Sequence, residues 1–361
     1  MRGLWNRCVA FFTGHPGMVA AGGSGLLAIA AGAIAAMLVL ASSPAPAGPA
    51  SPAADVQPTA APGGLLSPFT GERVARLGPV VAVKVDNIVN ARPQTGLGAA
   101  DIVWVLPVEG GLSRFLAVYS SRLPSIIGPV RSAREDDLEV LRQFGTPAFA
   151  YSGATPQLLP AVERSRIVDE YPGLPAFGPA YFRDSSRVQP YNLYAHSSAL
   201  LARARRASVA GDVGFRFGPV PLSASGTAVT SYSAGYPASS FTFRWSPRAG
   251  TWLISMDGTP AMSTSGTPGG AANPFGSLSQ LGAPTVIIQH TTIRTSRFLE
   301  YGKPPPYAQS VGQGSAVVLR GGKAYPVRWS RPSADGGTAY TLTSGQRMTF
   351  APGQAWVLLV P

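Results

Sequence analysis

The first regularity along the chain is an unbroken apolar run. Residues 18–41 carry no charge and are almost entirely Ala, Gly, Leu, Ile, Val and Met. At 1.5 Å rise per residue, about 20 such residues cross a bilayer core. A helix bound for a soluble core would keep a polar stripe, and this run has none. The pattern predicts one transmembrane helix over 18–41, following a short N-terminus over 1–17. Arg2 and Arg7 precede the run and no basic residue follows until Arg73. That asymmetry puts the N-terminus in the cytoplasm and the rest outside, in a single-pass arrangement. The alternative is a signal peptide cleaved near Ala45-Pro46-Ala47, with the remainder secreted; the apolar part of such peptides is usually about 7–15 residues.

A different texture follows. Residues 42–67 read SSPAPAGPASPAADVQPTAAPGGLLS, with one charge and no aromatic residue. Such a stretch buries too little surface to offset its chain entropy, which predicts a disordered, extended linker.

From Pro68 the chain alternates between compact apolar runs and turns. VVAVKVDN (80–87), ADIVWVLPVEGG (100–111) and SRFLAVYSS (113–121) read as strands ending in polar residues. GPVRSAREDDLEVLRQFG (128–145) switches to helical period. Leu138, Val140 and Leu141 face inward, Ser132 and Glu135 form an S-x-x-E capping box, and Gly145 closes the helix. A further helix is expected over 198–210, with Arg203, Arg205 and Arg206 exposed. After Pro219 the text becomes short strands separated by Gly, Pro and Ser, including a hairpin around Gly321-Gly322. The expected class is α+β: a mixed α/β N-terminal globular domain over 68–220, then a β-rich C-terminal domain over 221–361, all preceded by the transmembrane helix.

Composition narrows the function classes. The chain carries 29 basic and 17 acidic residues, and the excess is concentrated in 221–361, with 10 basic against 3 acidic. Basic and aromatic together suggest nucleic acid in a cytoplasmic protein. On the outer side of a membrane they fit lipid headgroups, an anionic wall polymer or an envelope protein better, and no nucleic acid is expected. One Cys and three His leave no disulfide framework and no expected metal or cofactor site. Cys8 lies before the apolar run, whereas the acylated Cys of a bacterial lipoprotein follows it. No G-x-S-x-G, H-E-x-x-H or P-loop occurs.

The clearest candidate chemistry lies at 128–135. A helix starting at Ser132 offers free N–H groups, and Arg131 and Arg134 beside it would hold a carboxylate or phosphate. The competing reading is that these arginines pair with nearby carboxylates. Asp86, Asn87, Arg92, Gln94, Glu109, Arg114, Arg183, Asp184, Arg187 and Asn192 sit at strand ends or turns and are expected to flank such a ligand site. Asp86 with Glu109 also suggests an acid–base pair for a cell-wall hydrolase or transferase. A third possibility is a scaffold or regulator of another envelope enzyme, acting through an exposed apolar patch.

VDNIVNARPQTGL, AADIVW, VEGGLSRFLAVY, GPVRSAR, YFRDSSR and PYNLY, in that order, resemble the YerB family of bacterial envelope proteins, defined by the DUF3048 domain. TVIIQHTTI, GQGSA, VRW and PGQAWVLLVP in the second half resemble that family's C-terminal domain. The resemblance implies an extracytoplasmic protein tethered to the membrane, and no established activity. Typical members look like lipoproteins; here an apolar helix stands in place of the lipid. Tyr191 occupies the position where members read His, and Thr285 one where they read Asn.

Overall fold

The computed structural model describes residues 64–300 and 302–361. The expected transmembrane or signal segment lies outside them, and no helix among the described residues is long and apolar enough to cross a membrane.

Fourteen strands carry the architecture: β1 (Val81–Asp86), β2 (Ile102–Pro107), β3 (Ser113–Tyr119), β4 (Ala148–Ala150), β5 (Val168–Asp169), β6 (Thr227–Ala228), β7 (Ser231–Tyr236), β8 (Ser239–Ser246), β9 (Thr251–Met256), β10 (Thr285–His290), β11 (Gly312–Arg320), β12 (Lys323–Arg331), β13 (Ala339–Thr341) and β14 (Ala355–Val360). Eleven of them form one sheet in the order β6-β12-β11-β10-β14-β2-β3-β1-β4-β5, with β13 on β12. The sheet therefore runs through both sequence segments. β14 joins them, pairing parallel with β10 on one side and with β2 on the other, where Ala355 meets Ile102. β1, β2, β3 and β14 are buried on both faces. Double burial explains why they read as nearly continuous apolar runs and not as alternating ones.

Two cores lie on the two faces. On one, the β7–β9 meander presents Phe241, Phe243, Trp252 and Ile254 to Val83, Val105 and Trp356. Phe115 meets Trp356 edge-on at 5.4 Å between ring centroids. On the other, α1 (Glu135–Leu141) packs Val140 and Leu141 over Ala82, Trp104 and Leu116. Lys84 interrupts this apolar face. It is fully buried and its Nζ lies 2.6 Å from Asp137 Oδ1 of α1.

The strands expected at 80–87, 100–111 and 113–121 are present, slightly shorter. So is the hairpin: Arg320 pairs with Lys323 across Gly321 and Gly322, whose φ values are +57° and +73°. That is the backbone of a two-residue type I′ turn. Gly145, at φ +77°, closes the 3₁₀ turn Arg142–Phe144 that continues α1. Helices are scarcer than the sequence suggests. α1, α2 (Leu159–Glu163) and α3 (Ser197–Arg203) span 7, 5 and 7 residues, so the described residues are β-rich in both segments. The helix expected over 198–210 stops at Arg203; its three arginines are exposed.

The helix start at Ser132 is corrected. Residues 128–133 run extended beside β1: the Arg131 N–H donates to the Lys84 carbonyl at 2.8 Å, and Val130 bridges Val85. α1 begins at Glu135 behind Arg134, whose N–H donates to Asp137 Oδ2 at 2.7 Å. The reciprocal carboxylate is thus Asp137, two residues later than S-x-x-E implies. Pairing with the sheet satisfies the backbone of Arg131 and Ala133 better than one more helical turn would.

Candidate functional site

β10, β14, β2, β1, β4 and β5 all point the same way, since each neighbouring pair is parallel except where β3 intervenes antiparallel. Their carboxyl ends line one edge of the sheet, the usual place for sites in open sheets of parallel strands. Asp86, Glu109, Ser152 and Glu170 all follow from such ends.

The centre of this rim is Asp86. Its Oδ1 accepts the Asn87 N–H at 2.9 Å, which turns the chain out of β1. Its Oδ2 lies 2.9 Å from Arg131 Nε, and its Oδ1 lies 3.9 Å from Arg114 Nε. Register explains the second contact, because Arg114 is the cross-strand partner of Asp86. Arg114 also donates to the Ser132 carbonyl at 3.1 Å. Burial and the neighbouring Arg134 charge lower the Arg114 guanidinium to about 10, offset in part by Asp86 and Glu109, so it stays charged at neutral pH. Arg131 lies over the Tyr191 ring at 5.7 Å, a cation–π distance. Ser132 Oγ faces Ser152 Oγ at 3.5 Å. Asp86, Arg114, Arg131 and Ser132 are thus brought together.

Arg134 belongs to a different arrangement, and its expected role in holding an anion is corrected. It is only 3% exposed. It grips Glu109 with two hydrogen bonds, at 2.5 and 3.0 Å, lies 3.1 Å from Glu300, and donates to the Ala133 carbonyl. Its donors are committed to the protein. Burial alone would push the Glu109 carboxyl up, but the Arg134 hydrogen bonds and charge outweigh it and hold it below its ordinary range. Glu109 is therefore ionised at neutral pH and has no proton to give. Asp86 and Glu109 are each paired with an arginine, Asp86 with Arg131 and Glu109 with Arg134.

The remaining candidates are supports. Asn87 donates to Ser113 Oγ at 2.9 Å, and Gln94 donates to the Asp86 carbonyl at 3.2 Å. Arg92 spans from the Asn87 carbonyl to Asp257 of the second segment, at 2.8 and 2.7 Å. Arg187 donates to the Ala91 and Pro93 carbonyls and thereby docks its own loop beside the rim. Asn192 ties that loop internally, accepting from Arg183 at 2.8 Å and donating to the Asp184 carbonyl at 3.2 Å. Asp184 caps the turn by accepting from Ser186. Sequence reasoning missed Glu170 and Glu300. Their only signal was position at the end of a strand or between turns.

Fold and rim together define a β-rich protein of two interlocked segments with a charged edge at the strand ends. Those segments match the two halves of one family: the protein of unknown function (DUF3048) N-terminal domain at residues 68–210 and its C-terminal domain at 230–357. The chain belongs to the DUF3048, or YerB, family. It is 38% identical over 134 residues to the Bacillus subtilis protein named "Putative lipoprotein YerB", a match spanning 36% of this chain and 40% of that protein's length. The crystal structure of YerB protein from Bacillus subtilis shares the fold, with a TM-score of 0.64 at 23% identity over 82% of this chain and 97% of that one.

Proposed function

We propose that this is an extracytoplasmic, membrane-tethered binding protein whose rim takes a carboxylate- or phosphate-bearing envelope ligand at Arg131 and Arg114. One observation carries the reading: two guanidiniums, Arg131 and Arg114, converge on the single carboxylate of Asp86, beside the Ser132 and Ser152 hydroxyls. The kinship with a protein named as a lipoprotein supports the location. The single-pass topology, with residues 18–41 in the membrane, rests on the apolar run and its flanking arginines. The exposed large apolar residues of the second segment, such as Leu222, Leu278 and Leu299, are scattered along its sequence and favour no scaffold reading.

The test is binding of the full chain to muropeptides, wall polymer fragments and anionic lipid, wild type against two arginine variants. Arg131→Ala is expected to weaken binding roughly 10- to 100-fold, the worth of a charge-assisted contact, with unfolding still cooperative. Arg134→Ala is expected to do the reverse, costing about 3 kcal/mol of stability because Glu109 and Glu300 lose their shared cation. Wild-type affinity in Arg131→Ala for every ligand that binds would overturn the proposal.

A further inference from the structure

The described chain opens with a small projecting ribbon. Leu65-Leu66 pairs antiparallel with Arg73-Val74, with Leu66 opposite Arg73. Successive residues of a strand face opposite ways, yet Leu65 is 54% and Leu66 63% exposed. Two adjacent leucines therefore stand in solvent on both sides of the ribbon. Beside them lies a shallow dish of about 510 Å³ lined by Arg73, Arg76, Arg122 and Glu72. All three arginines are exposed. Glu72 offers one carboxylate, 3.7 Å from Arg122, and the dish keeps a surplus of positive charge. The ribbon is also where the preceding 63 residues, with their uncharged run at 18–41, deliver the chain.

Exposed aliphatic side chains beside a cluster of arginines suit a bilayer interface of anionic phospholipid. The apolar groups enter the headgroup–acyl boundary and the guanidiniums meet the phosphates. We infer that this face is a membrane-contacting foot: Leu65 and Leu66 insert, and Arg73, Arg76 and Arg122 bind headgroup phosphates, holding the folded part against the bilayer. The inference rests on the extracytoplasmic, membrane-tethered location proposed above. It concerns a surface distinct from the Arg131 rim. Residues 42–64 span at most about 80 Å when extended, so the tether alone leaves the orientation open and the foot selects one.

The experiment uses the full chain carrying Cys8→Ser, with Leu66→Cys labelled by an environment-sensitive fluorophore. Leu278→Cys, labelled in the same way, is the control. Each protein is reconstituted with phosphatidylcholine vesicles, with or without phosphatidylglycerol, containing lipids that quench at the headgroup–acyl boundary. Quenching at position 66 but not 278, dependent on phosphatidylglycerol, is the expected result. Arg73→Glu with Arg76→Glu and Arg122→Glu should weaken that contact on the order of 100-fold, given the usual worth of a basic residue at an anionic surface. Flotation separates the foot from the tether. A chain that floats with both vesicle types while position 66 stays unquenched is tethered and has no foot, which overturns the inference alone. A chain that floats only with phosphatidylglycerol has a foot without a spanning anchor. Failure to float with either overturns both.

Discussion

Lys84→Met is expected to lower the free energy of unfolding by about 3–5 kcal/mol, the usual cost of stranding one member of a buried ion pair. Lys84 and Asp137 have fully buried side chains 2.6 Å apart, between strand β1 and α1. Removing the ammonium leaves the Asp137 carboxylate with the Arg134 N–H as its remaining partner at 2.7 Å. Asp136 sharpens the loss. It is 1% exposed, neither of its carboxylate oxygens has a hydrogen-bond partner, and burial pushes it up to about 7 even with the Lys84 charge acting to lower it. The double variant Lys84→Met with Asp137→Asn keeps an acceptor for the Arg134 N–H and removes both charges. It should recover most of the loss. Urea unfolding of the four proteins in this cycle checks the claim; equal stability of Lys84→Met and wild type would refute it.

Glu170→Gln is expected to stabilise the protein in alkaline solution and leave it unchanged in acid. Glu170 is fully buried at the end of β5 and neither carboxylate oxygen has a partner. Burial, reinforced by the Asp169 charge, raises the carboxyl from 4.5 to about 8. The folded protein therefore keeps the proton that the unfolded chain releases from about pH 4.5 upward. Stability from this group is complete below pH 4.5 and is lost as the pH rises toward 8. At about 1.4 kcal/mol per pH unit, the advantage of Glu170→Gln should grow from near zero at pH 4 to about 3–5 kcal/mol at pH 8. Thermal unfolding across that range reads it directly; a constant offset between the two proteins at all pH values would show that Glu170 is ionised in the fold.

Much of the local structure was legible because it is written in neighbouring residues. Gly321-Gly322 specifies its hairpin through two left-handed positions, and the apolar runs at 80–87, 100–111 and 113–121 are strands whatever surrounds them. The start of α1 was not legible. Ser132–Glu135 and Arg134–Asp137 are competing caps separated by two residues, and the choice falls to the Lys84 carbonyl, some fifty residues away, which claims the Arg131 N–H. The order of the sheet was hidden for a related reason. A strand buried on both faces carries no alternation, so nothing in AWVLLV names IVWVLP as its neighbour. At the rim, residue types at strand ends were readable, but their pairing was not. Arg131 and Arg134 look equivalent in GPVRSAR; one shares its carboxylate and the other is saturated, a difference set by Glu109 and Glu300. Lys84 itself was a visible anomaly, a lone charge inside an apolar strand, whose partner lies on another element.

The central place of β14 bears on how the molecule is made. During synthesis the β2 edge is finished early, but the strand that covers it, Ala355–Val360, emerges about 250 residues later. Until then Ile102–Val105 present an open row of backbone donors and acceptors, the kind of edge that recruits foreign chains. The growing chain must be kept from aggregating throughout that interval, so assembly should follow delivery of the last strand in one late, slow step. A nonsense lesion anywhere before residue 355 would thus leave an exposed, adhesive edge for quality-control proteases to remove.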